Sequence, residues 1–542
     1  MSVQPPNGID GVERAEQPGP ATAAEGEAVE RPPVDHPSRA DRFVRGLSEA
    51  IGGPLGRHAA GQDRPAGRPG RFWTAARIVL ALICLSLAAH WVQKSPCMDG
   101  AWQDNIQYTR FCYTDVLALY YAEGLNEGKV PYLDHPVEYP VVTGYFMGAI
   151  GLPVHALGTD RPKLNQAMWF YNANALVLCA LGVAAVAAIL ALRRRRPWDA
   201  AMFALAPALV LTATVNWDML PIGFAMFGLF AWVRQRPLLA GVLLGIGGAA
   251  KMWPLFLLGP ILVLGLRSGR IRAIVTAIVA AVGTVVAVNL PVYLFAHDGW
   301  RRFFELNSER PIDWGTLWYI GRYLDGKWAG GASGSQGPFQ WLGDNIPTLN
   351  TLSYVLFGLA CLGVGALAVL APRRPRLAAL AFLVVAAFLI FSKVWSQQFT
   401  LWLLPLIVLA RPRWGAFLAW QAAEVGYFLA FYGQLLGTAT GSQVIPDGVF
   451  VLAATLRLGT VVALCVFVIR DILHPERDVV RRNYSDDPDG GVFDGAPDAG
   501  WVPKVRRWFN DQREPRPAAG GSQSVDDGVA DVDPVDAEPV NR

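Results

Sequence analysis

Between about residues 72 and 470 the chain is written in long apolar blocks, separated by short turns rich in Arg and Lys and by two longer polar stretches. Blocks of about 20 apolar residues match the hydrocarbon thickness of a bilayer, so the pattern predicts an all-α polytopic membrane protein. The first block, FWTAARIVLALICLSLAAHWV over about Phe72–Val92, follows Arg64, Arg68 and Arg71. Basic residues before a span place the preceding segment in the cytoplasm and the following loop outside.

From residue 166 onward the turns alternate. The block from Gln166 ends at Arg193-Arg194-Arg195-Arg196, and later blocks return to Arg234-Gln235-Arg236, to Arg267, Arg270 and Arg272, to Arg373-Arg374-Pro375-Arg376 and to Arg411-Pro412-Arg413. Val141 to Leu157 is short, Gly-rich and carries Pro153. Counting it as a crossing would put the four consecutive arginines outside, so it reads as re-entrant or interfacial. About twelve transmembrane helices follow, with both termini cytoplasmic and outer loops at 94–165 and 296–349 carrying short amphipathic helices. The arms on either side of Lys251 are shorter than a full crossing needs, which predicts that this tip sits below the outer surface, in a cavity.

The flanks differ in composition. Residues 1–70 are rich in Pro, Gly, Ala and charge, and residues 473–542 begin basic and become rich in Asp, Gly and Pro. Both are expected to be disordered cytoplasmic tails around a membrane domain at 71–472. The net charge of +3 is segregated rather than patched, which excludes a nucleic-acid footprint. Four cysteines, Cys84, Cys179, Cys361 and Cys465, lie inside apolar blocks as small buried hydrophobes. Cys97 and Cys112 share the first outer loop, where an oxidising compartment would let them close a disulfide of roughly 3 kcal/mol on the chain-entropy model; two free thiols are the alternative.

Candidate chemistry gathers on one predicted face. The first loop supplies Asp99, Asp104, Asp115, Asp134 and Glu138; hairpin tips and the second loop supply Asn216, Asp218, Lys251, Arg310, Asp313, Lys393, Gln397 and Gln398. Ionisable groups at membrane depth are costly and usually line a site. Thr114-Asp115 opens a short amphipathic helix, so Asp115 is either a helix cap or a carboxylate held at the interface. Glu138 is an equally placed carboxylate. Lys251 among small residues, and Lys393, present cations suited to a phosphate; the bland reading is a snorkelling lysine. Trp217, Trp314, Trp395 and Trp402 could stack on a sugar or simply form an aromatic belt. Walker A, HExxH and Gly-x-Ser-x-Gly motifs are absent, as is an outer-face Asp-x-Asp pair, and no Cys or His pair has zinc spacing, so no metal site is expected.

Cys112-Tyr113-Thr114-Asp115, Val137-Glu138-Tyr139-Pro140, Ala250-Lys251-Met252-Trp253-Pro254 and Ser392-Lys393-Val394-Trp395-Ser396-Gln397-Gln398 occur in this order on one face. Over about residues 72–470 the chain resembles glycosyltransferase family 87, polyprenyl-phosphate-sugar-dependent membrane enzymes of the C-type glycosyltransferase fold. The resemblance implies a catalytic carboxylate in the first outer loop, matching Asp115, with Glu138 in reserve. It implies transfer with inversion, most readily of mannose, from a polyprenyl-phosphate donor to a cell-envelope glycolipid or glycan outside the plasma membrane. Lys251, Lys393 and Arg310 are then the candidate phosphate cations, with Asp218, Trp395, Gln397 and Gln398 beside the substrate. No cofactor is required beyond the lipid-linked sugar donor, and divalent-metal dependence is open. A transporter or flippase of lipid-linked sugars is the competing reading, although the bias of polar groups to one face, and the absence of a clear internal repeat, favour an enzyme. A scaffold acting through its tails is a third.

Overall fold

The structure is a computed structural model describing residues 36–37, 41–52, 72–328, 337–481, 484 and 486–511. Among these residues it is all-helical, with one isolated bridge between Pro131 and His135. Six helices are long and apolar enough to cross a membrane. In chain order, after α1 (Arg42–Gly52), come α2 (Ala75–Lys94), α3 (Asp115–Ala122), α4 (Val141–Asp160) and α5 (Gln166–Leu192). Then follow α6 (Ala200–Ala204), α7 (Pro207–Thr212), α8 (Met219–Val233), α9 (Pro237–Ala250), α10 (Leu258–Ser268) and α11 (Ile271–Phe295). The second long loop carries α12 (His297–Glu309), α13 (Leu317–Trp328) and α14 (Pro338–Asp344). The chain continues with α15 (Ile346–Leu370), α16 (Leu377–Phe391), α17 (Thr400–Ala410), α18 (Trp414–Thr440), α19 (Asp447–Leu473) and α20 (Trp501–Asp511).

Length sorts these helices by position. The long α11 and α15 present Val275, Val279, Val282, Val286, Leu359 and Leu362 outward, as helices bathed in lipid do. The short α8, α16 and α17 are buried on nearly every side and form the interior. A helix of 14 residues such as α9 is only about 21 Å long, well short of the roughly 30 Å of a hydrocarbon core. It packs closely on α11 because Gly241 and Gly245 leave room: a Cβ on Gly245 would lie 2.7 Å from the Ala281 carbonyl oxygen.

The bundle has two chemically distinct ends. At one, Arg193, Arg267, Arg374, Arg376 and Arg411 collect, as the basic turns predict. At the other lie the C-terminal end of α2, the 97–140 loop and the tips at 213–218, 251–253 and 392–398. We call these the basic face and the loop face. Helix α4 runs 20 residues without a break, Pro153 included, so the sequence expectation of a short interrupted segment is corrected in length. Both its ends nevertheless meet the loop face: Thr143 donates to the Ala250 carbonyl oxygen at 2.8 Å, while Gly158 abuts Gln166, next to Asn165, which donates to the Asp99 carbonyl oxygen at 3.3 Å.

The flanks are also corrected. The described residues between 474 and 511 fold as a strap across the basic face. Asp489 holds Arg193 through two hydrogen bonds of 2.7 and 2.6 Å, Asp478 holds Arg376 at 2.7 Å, and Asp498 holds Arg267 at 2.9 and 2.8 Å. Asp486 pairs with Arg374. The composition that reads as solvated charge is here matched, carboxylate by carboxylate, to buried guanidinium groups. On the amino-terminal side α1 docks on the start of α18, where the Trp414 amide donates to Asp41 at 3.1 Å. The rest of both flanks, including the DVDPVD run, lies outside the described residues.

Candidate active site

Asp115 opens α3, and three independent ties fix that helix start. The Thr114 hydroxyl accepts from the Val116 amide at 3.2 Å and donates to the Thr214 carbonyl oxygen at 2.8 Å, while the Asp115 amide donates to the Val215 carbonyl oxygen at 2.7 Å. Cys97 and Cys112 are joined in a disulfide, with their Cα atoms 5.7 Å apart, closing the loop before α3. The partner turn at 213–218 is held from α2. The Thr214 amide donates to His90 Nε2 at 3.0 Å, so His90 carries its proton on Nδ1 and donates it to the Val210 carbonyl oxygen at 2.8 Å.

Asn216 joins the parts. Its amide nitrogen donates to Asp115 Oδ2 at 2.7 Å and to the Tyr139 hydroxyl; its Oδ1 accepts from Lys251 Nζ at 3.2 Å and from the Trp217 amide at 2.7 Å. The Lys251 ammonium therefore sets which way the Asn216 amide faces, and the nitrogen is left pointing at Asp115. Gln398 donates to the same Asp115 oxygen at 3.3 Å, and Tyr113 also bonds the carboxylate. Asp115 itself is half-buried. Burial raises its pKa above the usual carboxylate value, opposed by the bonds from Asn216 and Tyr113 and by the charge of Lys251.

Lys251 is less free than the sequence suggests. It donates to Asp218 Oδ1 at 2.7 Å, in a pair whose side chains are 11% and 0% exposed. Trp402 Nε1 donates to the same Asp218 oxygen at 2.6 Å, and Tyr139, Phe399 and Trp402 surround the ammonium with their rings. Its charge is thus already matched, and its evident work is to orient Asn216.

A second cluster lies beside the first. Glu138 follows the loop residues that pack on Glu123: the Glu138 amide donates to Glu123 Oε1 at 3.2 Å and His135 Nε2 lies 3.5 Å from Glu123 Oε2. Burial raises the pKa of both carboxyls, that of Glu123 to about 7. Arg310 is exposed, and its charge reaches Glu138, Asp313 and Lys393. Lys393 Nζ donates to the Ser308 carbonyl oxygen at 3.1 Å, and no ion pair to it is found among the described residues. Burial, and then Arg310, lower its pKa to about 8.

Not every sequence candidate joins these clusters. Trp395 is fully buried, with the Arg457 guanidinium 4.3 Å from its ring centre and bonded to its carbonyl oxygen at 2.9 Å, so its ring offers no open face to a sugar. Trp217 is equally buried and donates to Asn174 at 2.8 Å. Gln397 is buried beside Gln398. Asp99 and Asp134 cap their own loop, accepting from the Ala101 and Val130 amides at 3.1 and 2.9 Å. Sequence reasoning passed over Tyr113, Tyr139, Glu123 and Arg302, whose charge reaches Glu123 and Glu138, and counted Asn216 on the candidate face without giving it a role. Tyr113 and Tyr139 sit inside the very motifs that carry the resemblance, and that adjacency was the available signal.

The arrangement offers one carboxylate oriented by an amide, next to a phenol, with the carboxyls of Glu138 and Glu123 and the cations Arg310 and Lys393, for which no ion pair is found among the described residues. Such a set can take a proton from a hydroxyl while cations hold an anionic leaving group. A comparison with curated proteins finds no match. The family model of glycosyltransferase family 87 matches residues 164–396. That stretch contains Asn216, Asp218, Lys251, Arg310 and Lys393, whereas Asp115, Glu138 and Gln398 lie outside it. The match supports placing this membrane-embedded chain in glycosyltransferase family 87.

Proposed function

We propose that the protein transfers a sugar, with mannose the first choice, from a polyprenyl-phosphate donor to a glycolipid or glycan of the cell envelope, with inversion at the sugar carbon. The observation that carries this reading is Asp115, half-buried and ionisable, held by Asn216, Tyr113 and Gln398 on the face where Arg310 and Lys393 gather.

In this mechanism Asp115 accepts the proton of the acceptor hydroxyl as its oxygen bonds to the sugar carbon. The bond from that carbon to the phosphate oxygen breaks on the opposite side, and the lipid phosphate leaves with its electron pair. Lys393 and Arg310, with Arg302, are the groups we assign to the phosphate, because Lys251 is already neutralised by Asp218. Glu138 and Glu123 moderate that cationic side and can relay a proton. The lipid donor accounts for the many-span architecture: the prenyl chain stays in hydrocarbon while its phosphate reaches a site recessed among the short helices.

The topology supported by the basic turns is a chain of twelve passes, for which the family resemblance implies the C-type glycosyltransferase arrangement. The basic face and both termini are then cytoplasmic and the loop face outside the plasma membrane. In that arrangement α4 lies in the outer interface instead of crossing. Purified protein in lipid, supplied with labelled polyprenyl-phosphate mannose and an envelope lipid extract, should yield a labelled glycolipid. Labelled product from a nucleotide sugar alone, or translocation of lipid-linked sugar without any product, would reject the proposal.

A further inference from the structure

Two helices lie outside the bundle at its basic face, one from each flank. In α20, Trp501, Val505 and Trp508 fall at helical spacing on one stripe and are 40%, 38% and 62% exposed. Lys504 and Arg507 are exposed beside this stripe, Arg506 is half-buried with its charge reaching Asp498, and Val502 turns inward and is buried. In α1, Phe43, Leu47 and Ile51 form the same kind of exposed stripe beside Arg42 and Arg45. Exposed tryptophans at i and i+7 are not explained by packing among the described residues.

The position of α20 says what should cover it. Ala499, just before the helix, donates its amide to the Arg267 carbonyl oxygen at 2.6 Å, and Arg267 in turn donates to the Ala368 and Ala371 carbonyl oxygens at the end of α15 at 2.6 and 3.2 Å. Helix α15 is the least buried of the candidate spans, with Tyr354, Val355, Leu359 and Leu362 turned outward. The apolar stripe of α20 therefore begins where a lipid-facing helix ends, at the level of the headgroups. Cationic residues flanking an aromatic stripe at that level complement acidic phospholipids, and each basic residue near such a surface contributes about 1 kcal/mol.

We propose that α20, aided by α1, is an in-plane anchor that binds acidic phospholipid headgroups of the surrounding bilayer. It seats Trp501, Val505 and Trp508 among the acyl chains.

The test is backbone hydrogen exchange of the full chain in nanodiscs of phosphatidylcholine alone or of phosphatidylcholine with phosphatidylglycerol. Amides of residues 501–511 should exchange at least about tenfold more slowly in the acidic discs. The variant K504E/R507E should lose that difference while the strap at 486–498 keeps its protection. Equal exchange in the two lipids overturns the proposal, and so does protection that depends on protein concentration, which would indicate a second copy. If the variant does not fold, the comparison of the two lipids in the wild-type chain decides alone.

Discussion

Lys251 and Asp218 form an ion pair almost sealed from solvent, so removing one partner strands the other in a low-dielectric interior. Lys251→Met is expected to destabilise the protein by about 3–5 kcal/mol, and Lys251→Met with Asp218→Asn by clearly less. Thermal midpoints of the purified single and double variants measure this. A phosphate-binding lysine would instead lower donor affinity with little change in stability, so the pair of readouts separates the two roles. Lys393 is where the phosphate role should show. With its pKa lowered to about 8, its positive charge is present below that pH and lost above it, so transfer should fall on the alkaline side. On the acid side Asp115 must be ionised, and its raised pKa moves that limb above the ordinary carboxylate range. The rate profile is therefore bell-shaped. Lys393→Arg should retain transfer and move the alkaline limb upward; an unchanged limb would remove Lys393 from the phosphate site.

At the scale of elements, hydrophobic block length and basic turns made most of the bundle legible. Interruptions were not: the apolar block after Asp199 is two short helices, α6 and α7, parted at Leu205-Ala206, because Pro207 lacks an amide proton and starts a new helix. The basic turns set α4 apart as re-entrant or interfacial, but the pattern could not show its full length or which neighbours its ends meet, since composition reports what a helix can cross and not what it touches. The close seating of α9 on α11 was visible only as a run of glycines. Gly245→Val would drive a branched side chain into the Ala281 backbone, and is expected to destabilise the bundle by several kcal/mol without touching the site. Unfolding of the purified variant in detergent checks the direction.

Across the whole molecule, the largest departure from the sequence reading is the strap. Asp-rich composition predicts a solvated tail, but Asp478 and Asp486 meet Arg376 and Arg374 of one turn, and Asp489 and Asp498 meet Arg193 and Arg267 of two others, a pairing of residues far apart in sequence that no local pattern encodes. Truncation after residue 473 leaves Arg193, Arg267 and Arg376 buried without these carboxylates, and should yield protein that aggregates or unfolds on purification. Truncation after residue 511 should leave stability unchanged. Size-exclusion profiles of the two truncations test this. The site shows the same division: Asp115 was legible from its motif, whereas its orientation by Asn216, and the neutralisation of Lys251, depend on tips drawn together from separate hairpins. The central claim is that Asp115 removes the acceptor proton during transfer from a lipid-linked sugar. Its most direct test is the transfer rate of Asp115→Asn with labelled polyprenyl-phosphate sugar, in a preparation whose thermal midpoint matches the wild type. A fall of at least about a hundredfold with the chain folded is the predicted result; transfer at the wild-type rate would contradict it.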